Sequence, residues 1–235
     1  MLVITENINQ IQNEISRLCK KVNRDPSEIT LVAVTKTIEI ERIQRAWHSG
    51  IRHFGENRVQ ELRAKQDDFK HEANWHMIGH LQRNKVKYII EKVSLIHSLD
   101  SYKLAKEIQK QARKHDKNMD VLIEINIGNE PSKFGIPLNE AITFAKNLEE
   151  LPNIRLRGLM TVAPNVQDPE QVRPMMREMN RVYKELKQAK IGTDRLDVLS
   201  MGMSNDYKVA IEEGSTMIRL GSSIFGYREK GGKDV

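Results

Sequence analysis

Short β-branched and aliphatic runs alternate along this chain with amphipathic segments in which apolar residues recur every three or four positions. The opening segment, about residues 4 to 22, carries Ile8, Ile11, Ile15, Leu18 and Val22 on one helical stripe. Strands are then predicted at 30–35, 51–55, 74–79, 95–98, 120–127, 154–161, 196–200 and 216–219. Between them lie the helical patterns IERIQRAWHSG, ENRVQELRAKQDDF, QRNKVKYIIEK, DSYKLAKEIQKQARKH, LNEAITFAKNLEEL, PEQVRPMMREMNRVYKELKQA and SNDYKVAIEEG, several closed by a glycine or a polar stop. Eight strands alternating strictly with helices in 235 residues is the requirement of an α/β protein built as a (β/α)8 TIM barrel, here with an extra N-terminal helix. A doubly wound open sheet is the other architecture with this alternation, but no GxGxxG follows the first strand. No Pro/Gly/Ser-rich linker divides the chain, so one domain over 1–235 is expected.

Composition narrows the class. With 39% hydrophobic and 30% charged residues the chain has material for one large core. No apolar run reaches the ~18 residues a membrane helix needs. The start, MLVITENINQIQNEI, carries acidic and amide residues where a signal peptide has a basic and then an apolar run, so a cytoplasmic protein is expected. Cys19 is the single cysteine, which excludes an internal disulfide and a cysteine metal cluster and fits a reducing compartment. Lys and Arg number 38 against 32 Asp and Glu, a formal charge of +6 that brings nucleic acid into consideration. The cations are interleaved with acids in KYIIEK, KLAKEIQKQARKHDK and REMNRVYKELKQ, and only 5% of the chain is aromatic, which describes solvated helix faces and no nucleic-acid stripe. A mildly basic surface instead suits small anionic ligands through long-range steering.

In a barrel, functional groups collect in the loops that follow the strands, because those loops line one mouth. Lys36 stands there, after the run Leu31-Val32-Ala33-Val34. An amine held at an apolar rim is partly desolvated, which favours its free base and attack on an aldehyde, so Schiff-base chemistry is the first reading. Strand two ends at Gly55-Glu56-Asn57-Arg58, strand three at Gly79-His80, strand six at Met160-Thr161. The last two loops, Ser200-Met201-Gly202-Met203-Ser204 and Arg219-Leu220-Gly221-Ser222-Ser223, have the ingredients of a phosphate cradle: glycines for close approach, hydroxyls, and a helix start with free N–H groups. Ordinary caps and tight turns use the same residues. A strand-one lysine with such a cradle describes an aldehyde phosphate held at both ends, and pyridoxal phosphate meets that description. His48, His71, His97 and His115 show no HxxxH or HxH spacing and read as surface residues, with no metal site. Met175, Met176, Met179, Met201, Met203 and Met217 read as core or interface filling. Lys133, in NEPSKFG, reads as part of a solvated loop, with a second anionic contact or a lid as the alternative.

The segments LVAVTKT around Lys36, HFGENRVQE at 53–61, WHMIGHLQRNK at 75–85, INIGNEPSKFGI at 125–136, RGLMT at 157–161 and LSMGMSNDYKVAIEEGSTMIRLGSSIFG at 199–226 resemble, in that order and over nearly the whole chain, the YggS/PROSC-type pyridoxal phosphate homeostasis family, related in fold to the barrel domain of alanine racemase. The resemblance implies pyridoxal 5'-phosphate as cofactor, held as a Schiff base on Lys36, with Ser200, Gly221 and Ser222 on the phosphate, Arg219 facing the pyridine nitrogen, and Asn57 and His80 near the ring. It implies storage, buffering or delivery of the cofactor without efficient catalysis, with apo-enzymes as recipients. An arginine stays protonated, so at the ring nitrogen it donates and disfavours a pyridinium, weakening the cofactor as an electron sink. Racemisation also needs a second base, which the alanine racemase relatives take from an additional β-domain of the partner subunit, whereas this sequence ends at Val235 directly after the barrel. Little racemisation and a monomer are therefore expected. Tyr207, Tyr227, His76 and His80 are proton donors by residue type. A small racemase and an aldolase using Lys36 directly on substrate are the alternative readings.

Overall fold

The structure, a computed structural model, describes residues 3–191 and 195–226. Its first element is α1 (Val3–Lys21), whose buried stripe is Ile4, Ile8, Ile11, Ile15, Leu18 and Cys19. Then come β1 (Thr30–Val34), α2 (Ile40–His48), β2 (His53–Glu56), α3 (Val59–Asp68), β3 (Asn74–Met77), β4 (Leu95–Leu99), α4 (Tyr102–Lys114), β5 (Met119–Ile125), α5 (Ala141–Leu148), β6 (Ile154–Thr161), α6 (Arg173–Gln188), β7 (Val198–Ser200), α7 (Tyr207–Glu212), β8 (Met217–Leu220) and α8 (Ser222–Phe225). The strands pair in parallel and in sequence order, and β8 closes on β1. The chain is thus a (β/α)8 barrel, as the alternation predicts. No helix among the described residues is long and apolar enough to cross a membrane.

One expected helix is different. The segment QRNKVKYIIEK forms only a 3₁₀ helix at Arg83–Tyr88. Val86, Ile89, Ile90 and Val93 are all buried. Pressing two adjacent isoleucines onto the barrel needs a flatter apolar face than one α-helical stripe offers, and bonds such as Ile89 N–H to the Val86 carbonyl tighten the turns.

The extra helix has a packing cause. α8 is four residues long and covers little of the wall at β8 and β1. α1 lies against α2, α7 and α8, and its isoleucines share a core with Ala33, Ile218, Leu220 and Ile224. Each fully buried isoleucine contributes ~1.5–3 kcal/mol, so this cover is a principal stabiliser of the barrel seam.

Inside the barrel, strand alternation brings Val32, Leu95, Leu122, Met160, Val198 and Met217 into one apolar cluster. The remaining interior is polar. His76, His97, Ser200 and Arg219 are buried there, with His53 half-buried below them. His97 corrects the expectation of a surface histidine. All five residues of β4 are buried, and the step of two from Leu95 turns His97 inward. His48 and His71 do lie toward the surface, where His71 stacks on Trp47 with ring centroids 4.1 Å apart.

Candidate functional site

Lys36 follows β1 by two residues and is exposed, because the turn carries it past Thr35, the last buried residue of that run. The enclosing apolar rim expected from the sequence is not what surrounds it. What positions it is a clamp on its two neighbours. Lys65 of α3 donates from Nζ to the Thr35 carbonyl at 2.6 Å, to Glu56 Oε1 at 2.6 Å and to Glu61 Oε2 at 3.3 Å. The Thr35 hydroxyl donates to the same Glu56 oxygen at 2.6 Å. Thr37, in the left-handed region with φ 59°, donates its N–H to Glu61 Oε2 at 2.8 Å. Sequence reasoning missed this group, since Glu61 and Lys65 at i, i+4 look like a solvated helix pair. Replacing Lys65 by Met strands the fully buried Glu56 carboxylate without its cation. We expect a loss of about 3–5 kcal/mol in urea unfolding, and a loss below about 1 kcal/mol would mean that the Thr35 hydroxyl and the Asn57 N–H hold Glu56 without the cation.

The opposite side of the mouth is built by β7 and β8. Arg219 is 4% exposed; Nη1 donates to Ser200 Oγ at 2.6 Å and Nη2 to the Thr161 carbonyl at 2.8 Å. Burial lowers this guanidinium to about 10, with Asp206 and Glu124 opposing the shift, so it remains a cation at neutral pH. Gly221, Ser222 and Ser223 follow β8 half-buried, and the Ser223 N–H donates to Ser204 Oγ at 3.3 Å.

Ser200 departs from its expected place beside Gly221 and Ser222. It shares the inward face of β7 with Val198, lies wholly buried beneath the mouth, and is engaged by Arg219 and His97. The hydroxyl that does reach Ser223 belongs to Ser204, which sequence reasoning quoted only as a loop end. Its signal was position, the last serine before the α7 pattern. Gly202 allows the loop between them, with φ 100° and no room for a Cβ, which would come within 2.7 Å of the Ala210 Cβ.

The third side comes from β3, β4 and β5. Gly79 presses on Asn57, where a Cβ would stand 2.5 Å from the Asn57 carbonyl oxygen, so the two loops approach as backbone on backbone. His80 stacks on Phe134 with ring centroids 3.7 Å apart, and its Nδ1 lies 3.2 Å from Asp100 Oδ2. Phe134 is 53% exposed and comes from the 126–136 loop, which Asn126 ties by donating from Nδ2 to the carbonyls of Glu130 and Lys133. Lys133 departs from a solvated reading: its Nζ reaches the Ala163 carbonyl at 3.4 Å and joins this loop to the one after β6. Glu124, two residues beyond Leu122 on β5, shares the inward face. Burial pushes its carboxyl up to about 7, the charge of Asp100 adds to this, and Arg219 opposes it. Of the sequence-level proton donors, His80 stays at the mouth, His76 lies inside the barrel, and Tyr207 is buried against the core that α1 covers. Tyr227 lies outside the described residues.

Lys36, Asn57, His80, Gly221 and Ser222 therefore ring one mouth at the carboxyl ends of the strands, with Arg219 as floor and Ser200 below it. A parallel barrel with a lysine after the first strand and serine-glycine loops after the last two is of the alanine racemase type. The profile of the alanine racemase N-terminal domain matches residues 7–229. A pyridoxal phosphate homeostasis protein of Aquifex aeolicus is 43% identical over 226 residues, covering 95% of this chain and 98% of its own length. The one of Escherichia coli K12 is 39% identical over 231 residues, covering 96% and 97%. The chain belongs to this family of pyridoxal phosphate homeostasis proteins, built on the alanine racemase N-terminal barrel. Among solved structures, PipY of Synechococcus elongatus with pyridoxal phosphate bound aligns with a TM-score of 0.77 at 31% identity, covering 91% of this chain and all 100% of that one.

Proposed function

We propose that this chain binds pyridoxal 5'-phosphate and stores or delivers it to apo-enzymes without efficient catalysis of its own. The residues of the mouth fit that group. Lys36 would hold the aldehyde end through its Nζ, the amine condensing with the carbonyl with loss of water. The N–H groups and hydroxyls of Ser204, Gly221, Ser222 and Ser223 suit a phosphate, while Asn57 and His80 stand on the ring side. Ser200 serves from below, through Arg219. The relatives named for this cofactor, and PipY with it bound, support the same reading.

The observation that carries the non-catalytic part is Arg219, a buried cation with two N–H groups already taken by Ser200 and Thr161. When bound, the cofactor supplies an electron sink for carbanion chemistry, and a partner at the ring nitrogen that keeps its own proton weakens that sink. Among the described residues, the second proton-transfer group of a racemase also has few candidates. Tyr207 is turned into the α1 core, and His80 is engaged by Asp100 and Phe134.

The test is the absorption spectrum of the purified protein before and after borohydride, with peptide mass mapping of the reduced sample. We expect a yellow band that borohydride bleaches and a pyridoxyl mass on Lys36. A colourless protein that takes up no added pyridoxal phosphate overturns the reading. Borohydride trapping of a sugar phosphate on Lys36 would place the aldolase first, and solvent deuterium entering the α-position of an amino acid would place the racemase first.

A further inference from the structure

Three histidines from consecutive strands, unused so far, form one hydrogen-bonded file through the barrel interior. His53 Nδ1 meets His76 Nε2 at 3.0 Å, His76 Nδ1 meets His97 Nε2 at 2.8 Å, and His97 Nδ1 meets Ser200 Oγ at 3.2 Å. Arg219 Nη1 ends the file on the same serine oxygen at 2.6 Å. At the other end His53 lines a cavity of about 750 Å³ at the amino-terminal mouth, with Thr30, Asn74 and Thr216. Polar side chains in such an interior displace apolar filling, and each is tolerated only with its hydrogen bonds made.

One fixed donor, together with the single acceptor that Ser200 meets, sets the direction of the bonds. A guanidinium has N–H groups and no acceptor, so Ser200 Oγ accepts from Arg219. Ser200 Oγ could accept twice, but His97 Nδ1 is the one acceptor its buried hydroxyl meets among the described residues, so donating there is the arrangement that leaves no group of the pair unsatisfied. With Nδ1 accepting, the ring proton of His97 sits on Nε2 and is donated to His76 Nδ1. The same step repeats from His76 Nε2 to His53 Nδ1. Three neutral rings thus share one tautomer, all protons pointing away from Arg219. Burial supports this neutrality, holding His76 at about 3 and His97 well below its ordinary value, and the nearby Arg219 charge also disfavours a cation on His97. The file is no route for a proton to Arg219, which has no site to receive one.

We propose that His97, backed by His76 and His53, is the positioning residue of Arg219. By taking the hydroxyl proton of Ser200, His97 leaves the serine oxygen as a committed acceptor for Nη1. With the Thr161 carbonyl on Nη2, two anchors then fix the guanidinium plane and the direction of its remaining N–H groups. The role toward a ring nitrogen rests on the cofactor reading above, whereas the tautomers do not depend on it.

The test has a part free of cofactor and a part with it. Long-range ¹H–¹⁵N spectra of the histidine rings in cofactor-free protein should show His53, His76 and His97 as neutral Nε2–H tautomers. An Nδ1–H tautomer at His97 overturns the proposal whatever the protein binds. In the second part, His97→Asn sets an acceptor oxygen near the place of Nδ1, His97→Gln sets its amide near Nε2, and His97→Leu supplies neither. His97→Asn should keep the wild-type cofactor spectrum and affinity. His97→Gln and His97→Leu should shift the band and weaken binding about tenfold, the worth of one lost hydrogen bond to a charged group. Equal behaviour of all three variants, or losses that follow stability alone, overturns the positioning role. A wild-type protein that binds no pyridoxal phosphate sinks the functional reading and leaves the tautomers to decide the file.

Discussion

Lys36→Ala should abolish the borohydride-reducible band entirely while leaving weaker, phosphate-anchored uptake of pyridoxal phosphate. Without the Nζ no Schiff base forms at this position, and the clamp of Lys65, Glu56 and Glu61 acts on the backbone of Thr35 and Thr37, so the mouth itself should persist. The remaining anchors are hydrogen bonds to a charged phosphate, worth ~1.5–3 kcal/mol each, enough for a measurable dissociable complex. Equilibrium dialysis with mass mapping after borohydride separates the two modes. A pyridoxyl mass that persists in this variant would move the covalent site to another lysine. Complete loss of uptake would deny the cradle formed around Ser204, Gly221, Ser222 and Ser223.

The second large effect is acid sensitivity carried by the barrel interior. His76 and His97 are both fully buried, and desolvation lowers them, His76 to about 3. In the unfolded chain they titrate near 6.5. Between about pH 6.5 and 3 the unfolded state therefore binds more protons than the native state, and stability rises with pH across that window. The stability these groups contribute is whole above pH 6.5 and is lost as the pH falls. A move from 6.5 to about 3 corresponds to ~5 kcal/mol for His76 alone. Glu124 acts with the opposite sign. Its native carboxyl is raised from 4.5 to about 7, so the native state holds the extra proton there and gains stability as the pH falls from 7 to 4.5. The two histidines should dominate one glutamate. Urea unfolding at pH 7, 6 and 5 should show a falling free energy, steeper in Glu124→Gln and shallower in His76→Gln. A flat profile in the wild type would deny the buried neutral histidines.

The parts of the fold legible in the sequence are those set by neighbours along the chain. The run Thr30 to Thr35 reads as a strand because β-branched and aliphatic residues follow one another, and β1 occupies Thr30–Val34. α1 runs Val3–Lys21 where its isoleucine stripe places it. In the segment QRNKVKYIIEK, where a helix is predicted, the chain forms a 3₁₀ helix only over Arg83–Tyr88. Strand ends were read too long at Gly79 and Ile127, since β3 stops at Met77 and β5 at Ile125, where β2 ends at Glu56 and β6 at Thr161 and neither offers a further ladder partner.

By itself the sequence determined that eight strands and their helices alternate, and that Lys36, Asn57, His80, Arg219, Gly221 and Ser222 stand where strands end. In a parallel barrel chain direction alone gathers such residues at one mouth or its floor. Only the tertiary structure decided which serine reaches Ser223 and which accepts from Arg219, because a side chain's inward or outward sense depends on where a three-residue strand begins its alternation. It alone brought His97 to Ser200 across 103 residues and Lys65 to Thr35 across 30. Such contacts follow from barrel closure, which ties strands far apart in sequence and leaves no local period to announce them.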